Sequence, residues 1–330
     1  MNKRMVYVAG ALSLTGVLLA GAVAPRFQAN AAGKKVIFVT DIGGLNDNGF
    51  NHLGYIGTVA GAKAAGWTFG DIETTNPSDY VKNLTTAAQQ ANMVVAVGFS
   101  FGTALTTVAA KFPKVHFTII DYAYSPSPAN ILGNIFTPNE SSYLAGIVAA
   151  GMSKTHTIGF VGGLNVPVIQ NFLVGYKAGA LSYDPKVKVL TSYTGSFTDQ
   201  GKGKTAGLQE INGGADVLFP AAGASGLGTL TAADQRHVWG IGVDADQNFL
   251  HPNSTVTSVV KHVEVAVAAA IVADSKGKFK AGTLIWNLKN NGVGLAPYHG
   301  LSSKVPAAVT AAVTKARAGI ISGKIVVPSK

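Results

Sequence analysis

The chain has 330 residues, of which 47% are hydrophobic and 13% charged, and its formal charge is +10. That length exceeds what one hydrophobic core ordinarily serves, so two lobes are expected, and the sparse charge without long runs excludes a disordered chain. Cysteine is absent, which excludes disulfides, thiolate metal sites, cysteine nucleophiles and a lipid-modified N-terminal cysteine.

The basic balance raises nucleic acid or an anionic surface as partners. Lys and Arg are scattered along the sequence, however, with no zinc-ligand spacing and no RNA-binding signature, so no nucleic-acid partner is expected. A general surface bias, suited to anionic envelope polymers, is the reading that follows.

The chain opens with Met1-Asn2-Lys3-Arg4, an almost wholly apolar run from Met5 to Ala24, and small residues at Ala29-Asn30-Ala31-Ala32. Residues 1–31 read as a secretory signal peptide with an Ala-x-Ala cleavage site, or as an uncleaved single-span anchor. Either reading places the rest outside the cytoplasm, secreted or at the outer face of the plasma membrane.

Val36-Ile37-Phe38-Val39 reads as a buried parallel strand, and Leu53, Ile56, Val59, Ala60 and Ala64 mark the helix after it. Between them lies Asp41-Ile42-Gly43-Gly44-Leu45-Asn46-Asp47-Asn48-Gly49-Phe50-Asn51, which combines carboxylates, glycines and an aromatic ring at a strand's carboxyl end. Open α/β sheets bind ligands at such positions; an ordinary βα loop with capping Asp and Asn is the competing reading. The alternation continues through strands at Trp67–Glu73, Met93–Val97 and Val115–Ile120, with helices at Asp79–Ala91 and through Ala104, Leu105, Val108 and Ala109. It resets near Asn134–Glu140 and runs again, with strands at Thr157–Val161, Val187–Leu190, Asp216–Pro220 and His237–Gly242.

Strands alternating with helices predict parallel, doubly wound sheets, here as two Rossmann-like lobes with a ligand cleft between them. The expected division is 35–136 plus about 246–281 for the first lobe and 137–245 plus about 282–330 for the second. Thr257 to Ala273 is read as one amphipathic helix, with Lys261 early in it, and Leu284–Leu288 as a later strand.

Asp41, Ser100, Asp121, Gly163, Gly223 and Asp244 sit just beyond strand ends and would face one cleft if the two sheets meet edge to edge. Three carboxylates there suit a neutral polyhydroxylated guest and repel a phosphate; Asp after a strand also occurs for turn reasons. Phe50, Phe99, Phe101 and Phe172 lie near the same edges, and a planar ring stacked on one of them gains roughly 1–3 kcal/mol. Taken singly, each of these reads as a core residue before a stacking one, Phe50 on its polar, glycine-rich loop the least so. Lys261 either neutralises the acids and meets a sugar hydroxyl, or snorkels to the surface.

Gly98-Phe99-Ser100-Phe101-Gly102 matches a nucleophile elbow, and with Asp244 and His262 or His299 downstream it supports a secreted serine hydrolase as the alternative. Gly201-Lys202-Gly203-Lys204-Thr205 fails as a phosphate loop because Thr198 stands where the first glycine belongs. The seven histidines are dispersed, so neither a metal site nor a cofactor is expected. A sugar-type transcription regulator would need a helix-turn-helix ahead of the first lobe.

The Asp41–Asn51 stretch resembles the signature of the basic membrane protein family, purine-nucleoside-type substrate-binding components of ABC transporters. Collinear support comes from Phe117–Asp121, Glu140–Gly146, Gly162-Gly163, Phe172, Gly175-Tyr176, Gly240–Gln247 and Thr257–Lys261, so the likeness spans about 35–300. It implies a type I periplasmic-binding fold with three crossovers, a non-enzymatic receptor acting as a monomer, and an ABC permease as partner. It further implies that Phe50 and Phe172 sandwich a nucleobase, that Asp121, Asp244 and Lys261 hold ribose hydroxyls, and that Asp41, Asn46, Ser100 and Gly223 line the site. Most bacterial members are cysteine-anchored lipoproteins; this sequence has no cysteine for that, and relatives also bind flavins and other molecules.

Overall fold

The computed structural model describes residues 33–329; the segment read as a signal peptide or anchor lies outside the described residues. The first run is β1 (Lys35–Thr40), α1 (Phe50–Ala65), β2 (Thr68–Ile72), α2 (Tyr80–Gln90), β3 (Met93–Val97), α3 (Gly102–Lys111), β4 (His116–Ile120) and β5 (Ile131–Phe136). The second is α4 (Pro138–Met152), β6 (Thr157–Gly162), α5 (Pro167–Tyr183), β7 (Lys188–Tyr193), α6 (Gln200–Asn212), β8 (Val217–Ala221), α7 (Ala224–Gln235), β9 (Trp239–Asp244) and β10 (Thr255–Lys261). The tail adds α8 (Val263–Ser275), β11 (Gly282–Trp286), β12 (Val293–Leu295) and α9 (Ala307–Ile321). β3 and β8 are buried along their whole length, as strands covered by helices on both faces must be.

Two α/β lobes result, one per sheet. The strand orders are β11-β5-β4-β3-β1-β2 and β12-β10-β9-β8-β6-β7, so the second sheet repeats the winding of the first. All pairings are parallel except that of β10 with β12.

The tail corrects the sequence reading. Thr257 to Ala273 is not one helix: Thr255–Lys261 is a strand beside β9, and the helix starts at Val263. Val259, Val260 and Val263 fall within one helical face. The β-branched run Thr255-Val256-Thr257 and burial of nearly the whole segment favour the strand. β10 therefore belongs to the second sheet and β11 to the first, against the expected assignment of 246–261 to the first lobe and 282–286 to the second. The chain passes between sheets three times, after Phe136, after Lys261 and after Trp286.

These crossings are laced together. Thr137 donates its backbone N–H to the Trp286 carbonyl at 2.9 Å, Trp286 Nε1 donates to Asn134 Oδ1 at 3.0 Å, and the Leu288 N–H donates to Glu140 Oε2 at 2.8 Å. α8 returns to the first lobe by packing on α1 along a seam of small residues. A Cβ on Gly57 would lie 2.6 Å from the Glu264 carbonyl oxygen, and one on Gly61 would lie 2.9 Å from Ile271 Cδ1. Gly57→Val should therefore force the helices apart and cost roughly 1–3 kcal/mol of unfolding free energy in urea denaturation; Thr107→Val, on the exposed face of α3, should change it by less than about 0.5 kcal/mol.

Candidate functional site

The turn between β1 and α1 is built around two carboxylates. Asp47 Oδ1 accepts from the Gly49 and His52 N–H groups at 3.0 and 3.1 Å, and its Oδ2 from the Asn51 N–H at 2.8 Å. It thereby fills the open donors of the first turn of α1. Asp41 Oδ1 accepts from the Gly43 N–H at 2.9 Å and from Asn51 Nδ2 at 2.8 Å. Asn51 Oδ1 is buried and makes no hydrogen bond among the described residues. Gly98, at φ +126°, leaves room for this arrangement, because a Cβ there would stand 2.6 Å from Asp41 Oδ2.

Asp121 follows β4 and Asp244 ends β9, which occupy equivalent places in the two sheets. Both are in the left-handed region, at φ +65° and +62°, a conformation costly for a non-glycine residue and concentrated at functional sites. Lys261 ends β10 and is 2% exposed. Its Nζ lies 2.5 Å from Asp121 Oδ2 and 4.6, 5.2 and 5.9 Å from the ring centroids of Phe50, Phe136 and Phe172. An ammonium over ring faces is favoured by their quadrupoles, more so without water.

Between the lobes lies a cavity with about 570 Å³ of empty space, the solvent at its opening included. Of the residues expected at the site, Asp41, Phe50, Asp121, Phe172, Gly223 and Asp244 line it together with Lys261. Asn46 and Ser100 do not: both are exposed, and Ser100 bonds to Tyr80. Asp47, Asn51 and Phe197 line it as well. Asp47 and Asn51 were within reach of the sequence, as neighbours of Asn46 in the same stretch. Phe101 is core, packed on Tyr80 at 4.4 Å, and Gly163 is covered by the Phe197 ring.

The lobes touch across the mouth. Phe99 and Phe197 meet edge to face at 6.4 Å, and Gln247 Nε2 donates to the Asn48 carbonyl at 3.1 Å.

The hydrolase constellation is not assembled. Ser100 lies inside a 3₁₀ turn, Phe99–Phe101, without the strained turn of a nucleophile elbow. His262 pairs with Glu264 and His299 with Asp246.

Four carboxylates, Asp41, Asp47, Asp121 and Asp244, share the cleft with one cation, and burial raises three of them, Asp41, Asp47 and Asp244. Desolvation raises Asp41 to about 6, with Asp47 and Asp121 pushing the same way. Desolvation raises Asp244 to about 7, opposed by Lys261 and reinforced by Asp121 and Asp47. Asp47 is raised by burial against its backbone hydrogen bonds. Such a cleft accepts hydrogen bonds from hydroxyl and N–H donors, offers flat apolar faces and disfavours anions.

A model of the family "ABC transporter substrate-binding protein PnrA-like" matches residues 34–330. The chain is 35% identical over 360 residues to the ABC transporter nucleoside-binding protein BmpA of Lactococcus lactis subsp. cremoris, covering all of both chains. It is 32% identical to an uncharacterized lipoprotein of Pyrococcus furiosus, over 86% of this chain and 76% of that one. Its fold superposes on a solute-binding protein of an ABC transporter system from Aeropyrum pernix with a TM-score of 0.84 at 25% identity, over 90% and 94% of the two chains.

Asp41 and Asp244 hold protons more tightly folded than unfolded. Their stabilising contribution is complete below the ordinary value of 3.8 and is lost as pH rises through about 6 and 7. Asp244→Asn should raise unfolding free energy at pH 8 by roughly 1–4 kcal/mol and leave it near wild type at pH 4, in denaturant titrations at both pH values.

Proposed function

Because the chain belongs to the PnrA-like family of ABC transporter substrate-binding proteins, we propose that it captures a nucleoside, a purine nucleoside foremost, and delivers it to a membrane permease. The observation that carries this reading is the convergence of Asp121, Asp244 and Lys261 with Phe50 and Phe172 on one cavity. The name of the Lactococcus lactis relative supports the ligand class.

In this reading Phe50 and Phe172 hold the base between their faces. Asp121 and Asp244 accept hydrogen bonds from ribose hydroxyls, and Lys261 donates to a ribose oxygen. Asp41 and Gly223 complete the wall. Asp121 and Phe50 belong to the first lobe, while Phe172, Asp244 and Lys261 belong to the second, so a ligand that touches both shifts the lobes toward closure by its differential affinity. Nothing in such a cycle breaks a covalent bond; the ligand leaves as it came.

Delivery to a permease places the working protein outside the cytoplasm, as a monomer that docks closed and releases on opening. The Pyrococcus furiosus relative is named a lipoprotein, whereas these 330 residues contain no cysteine for such a tether.

Asp121→Ala and Asp244→Ala should each weaken nucleoside binding more than tenfold by titration calorimetry; unchanged affinity in both would sink the assignment of the site. Ligand class is settled by a thermal-shift screen of nucleosides, nucleobases, riboflavin and sugars, since a ligand that binds only the native state raises the melting temperature. Adenosine, inosine or guanosine should give the largest rise.

A further inference from the structure

The lysines that look dispersed in sequence gather at one edge of the first sheet. β1, β2, β3, β4, β5 and β11 are all parallel, so their amino ends form one side of the lobe, opposite the carboxyl ends that line the cleft. This edge is built from segments 33–35, 63–68, 90–93, 111–117, 128–131 and 274–282. They carry Lys34, Lys35, Lys63, Lys111, Lys114, Lys276, Lys278 and Lys280. Seven of these are exposed and Lys35 is half-buried.

Hydrogen bonds and ring contacts tie the segments into one surface. Thr68 N–H donates to the Lys34 carbonyl, Asn92 N–H to the Lys35 carbonyl and His116 N–H to the Asn92 carbonyl, at 2.8–3.0 Å. The Phe279 ring then stacks on His116 at 4.0 Å and 5°, which fixes Lys278 and Lys280 beside β4. At the other end the Lys34 ammonium sits 5.3 Å from the Trp67 ring centroid.

Acid is nearly missing. Among the described residues of these segments the carboxylate is Asp274, which is 5% exposed and bonded to His116 Nδ1 at 2.7 Å. The matching edge of the second sheet differs: Lys154, Lys186, Lys188 and Arg236 there alternate with Asp184, Asp216 and Asp234. Lysines favour helix C-termini, and Lys63 and Lys111 close α1 and α3 in that way. That preference does not account for Lys34, Lys35, Lys114, Lys278 and Lys280, which lie outside helices.

We propose that this amino edge of the first lobe is a docking face for the anionic lipid headgroups of a membrane. Three features fit that occupant. The charge is of one sign over several strands spaced about 4.8 Å apart, which suits a sheet of headgroups better than a single small anion. Trp67 and Phe279 lie among the lysines, as aromatic rings do at membrane interfaces. The chain also enters the lobe here, at Gly33, following a sequence whose Met5–Ala24 stretch is almost wholly apolar. Docked on this edge, the lobe keeps its cleft on the opposite side, clear of the lipid.

The test is vesicle cosedimentation of the full chain, with phosphatidylglycerol-containing vesicles compared with pure phosphatidylcholine ones. The difference between the two lipids removes any contribution from the apolar leader. Lys114, Lys276, Lys278 and Lys280 are changed together to Gln. A charge-matched control changes Lys154, Lys186, Lys188 and Lys304. Each lysine near an anionic surface contributes up to roughly a fivefold gain, so losing four should cut the edge variant's preference for the anionic vesicles by ~100-fold or more in about 0.1 M salt, while the control keeps the preference of wild type. Salt at about 0.5 M should abolish the preference in all three. The proposal is overturned if wild type shows no lipid preference, if both variants lose it equally, or if the edge variant keeps it. Loss confined to binding of soluble polyphosphate, with vesicles ignored throughout, would overturn the lipid assignment in favour of a free polyanion.

Discussion

A buried ammonium holds the cleft together. Lys261 is almost fully enclosed, and an uncompensated charge there would cost several kcal/mol. Its compensation comes from both lobes: the Asp121 carboxylate at 2.5 Å, the ring faces of Phe50 and Phe136 from the first, and Phe172 from the second. The same cation makes the other acids tolerable, since it is the one influence drawing Asp244 down while burial drives it up. Without Lys261 the cleft would gather four carboxylates and no cation.

Equivalent positions in the two sheets carry both the likeness and the difference between the lobes. Asp121 and Asp244 end matching strands in the same strained conformation, and Gly98 and Gly223 follow matching strands with positive φ. At the first strand of each sheet the match ends. β1 is followed by Asp41 and its carboxylate, whereas β6 is followed by Gly163, over which the Phe197 ring lies. At this one position the frame thus contributes an acid from the first lobe and a ring from the second.

Much of this was readable from the strand ends. A run of apolar residues stopping at Asp places that Asp at a sheet's carboxyl edge, and Asp41, Asp121, Asp244 and Gly223 were found so. Ser100 satisfies the same rule and Asn46 follows from the resemblance alone; both lie off the cavity, because which side of a turn a side chain takes depends on backbone angles that residue type does not specify. Lys261 reads from the sequence as part of a helix and in the structure ends a strand; Val259, Val260 and Val263 fall within one helical face, but nearly the whole of 255–261 is buried, as suits a central strand. Phe197 carried no signal, lying in a loop whose path depends on how Gly163 and Gly223 open space for its ring. The basic edge was invisible for a related reason: its lysines come from separate strand–helix units that only the sheet brings together.

Lys261 is the last residue of β10, one residue before the chain crosses back to the first lobe, and its ammonium touches Phe136 at the first crossing, whose ring stacks on Trp286 at the third. The cation therefore sits where the chain crosses between the lobes, the place about which any swing of one against the other would turn. A bond so close to the axis stretches little for a given swing of the lobes, while contacts farther out along the lever arm separate first. Were the lobes to swing about these crossings, the Lys261 ammonium would stay matched to Asp121 and no buried charge would be left bare.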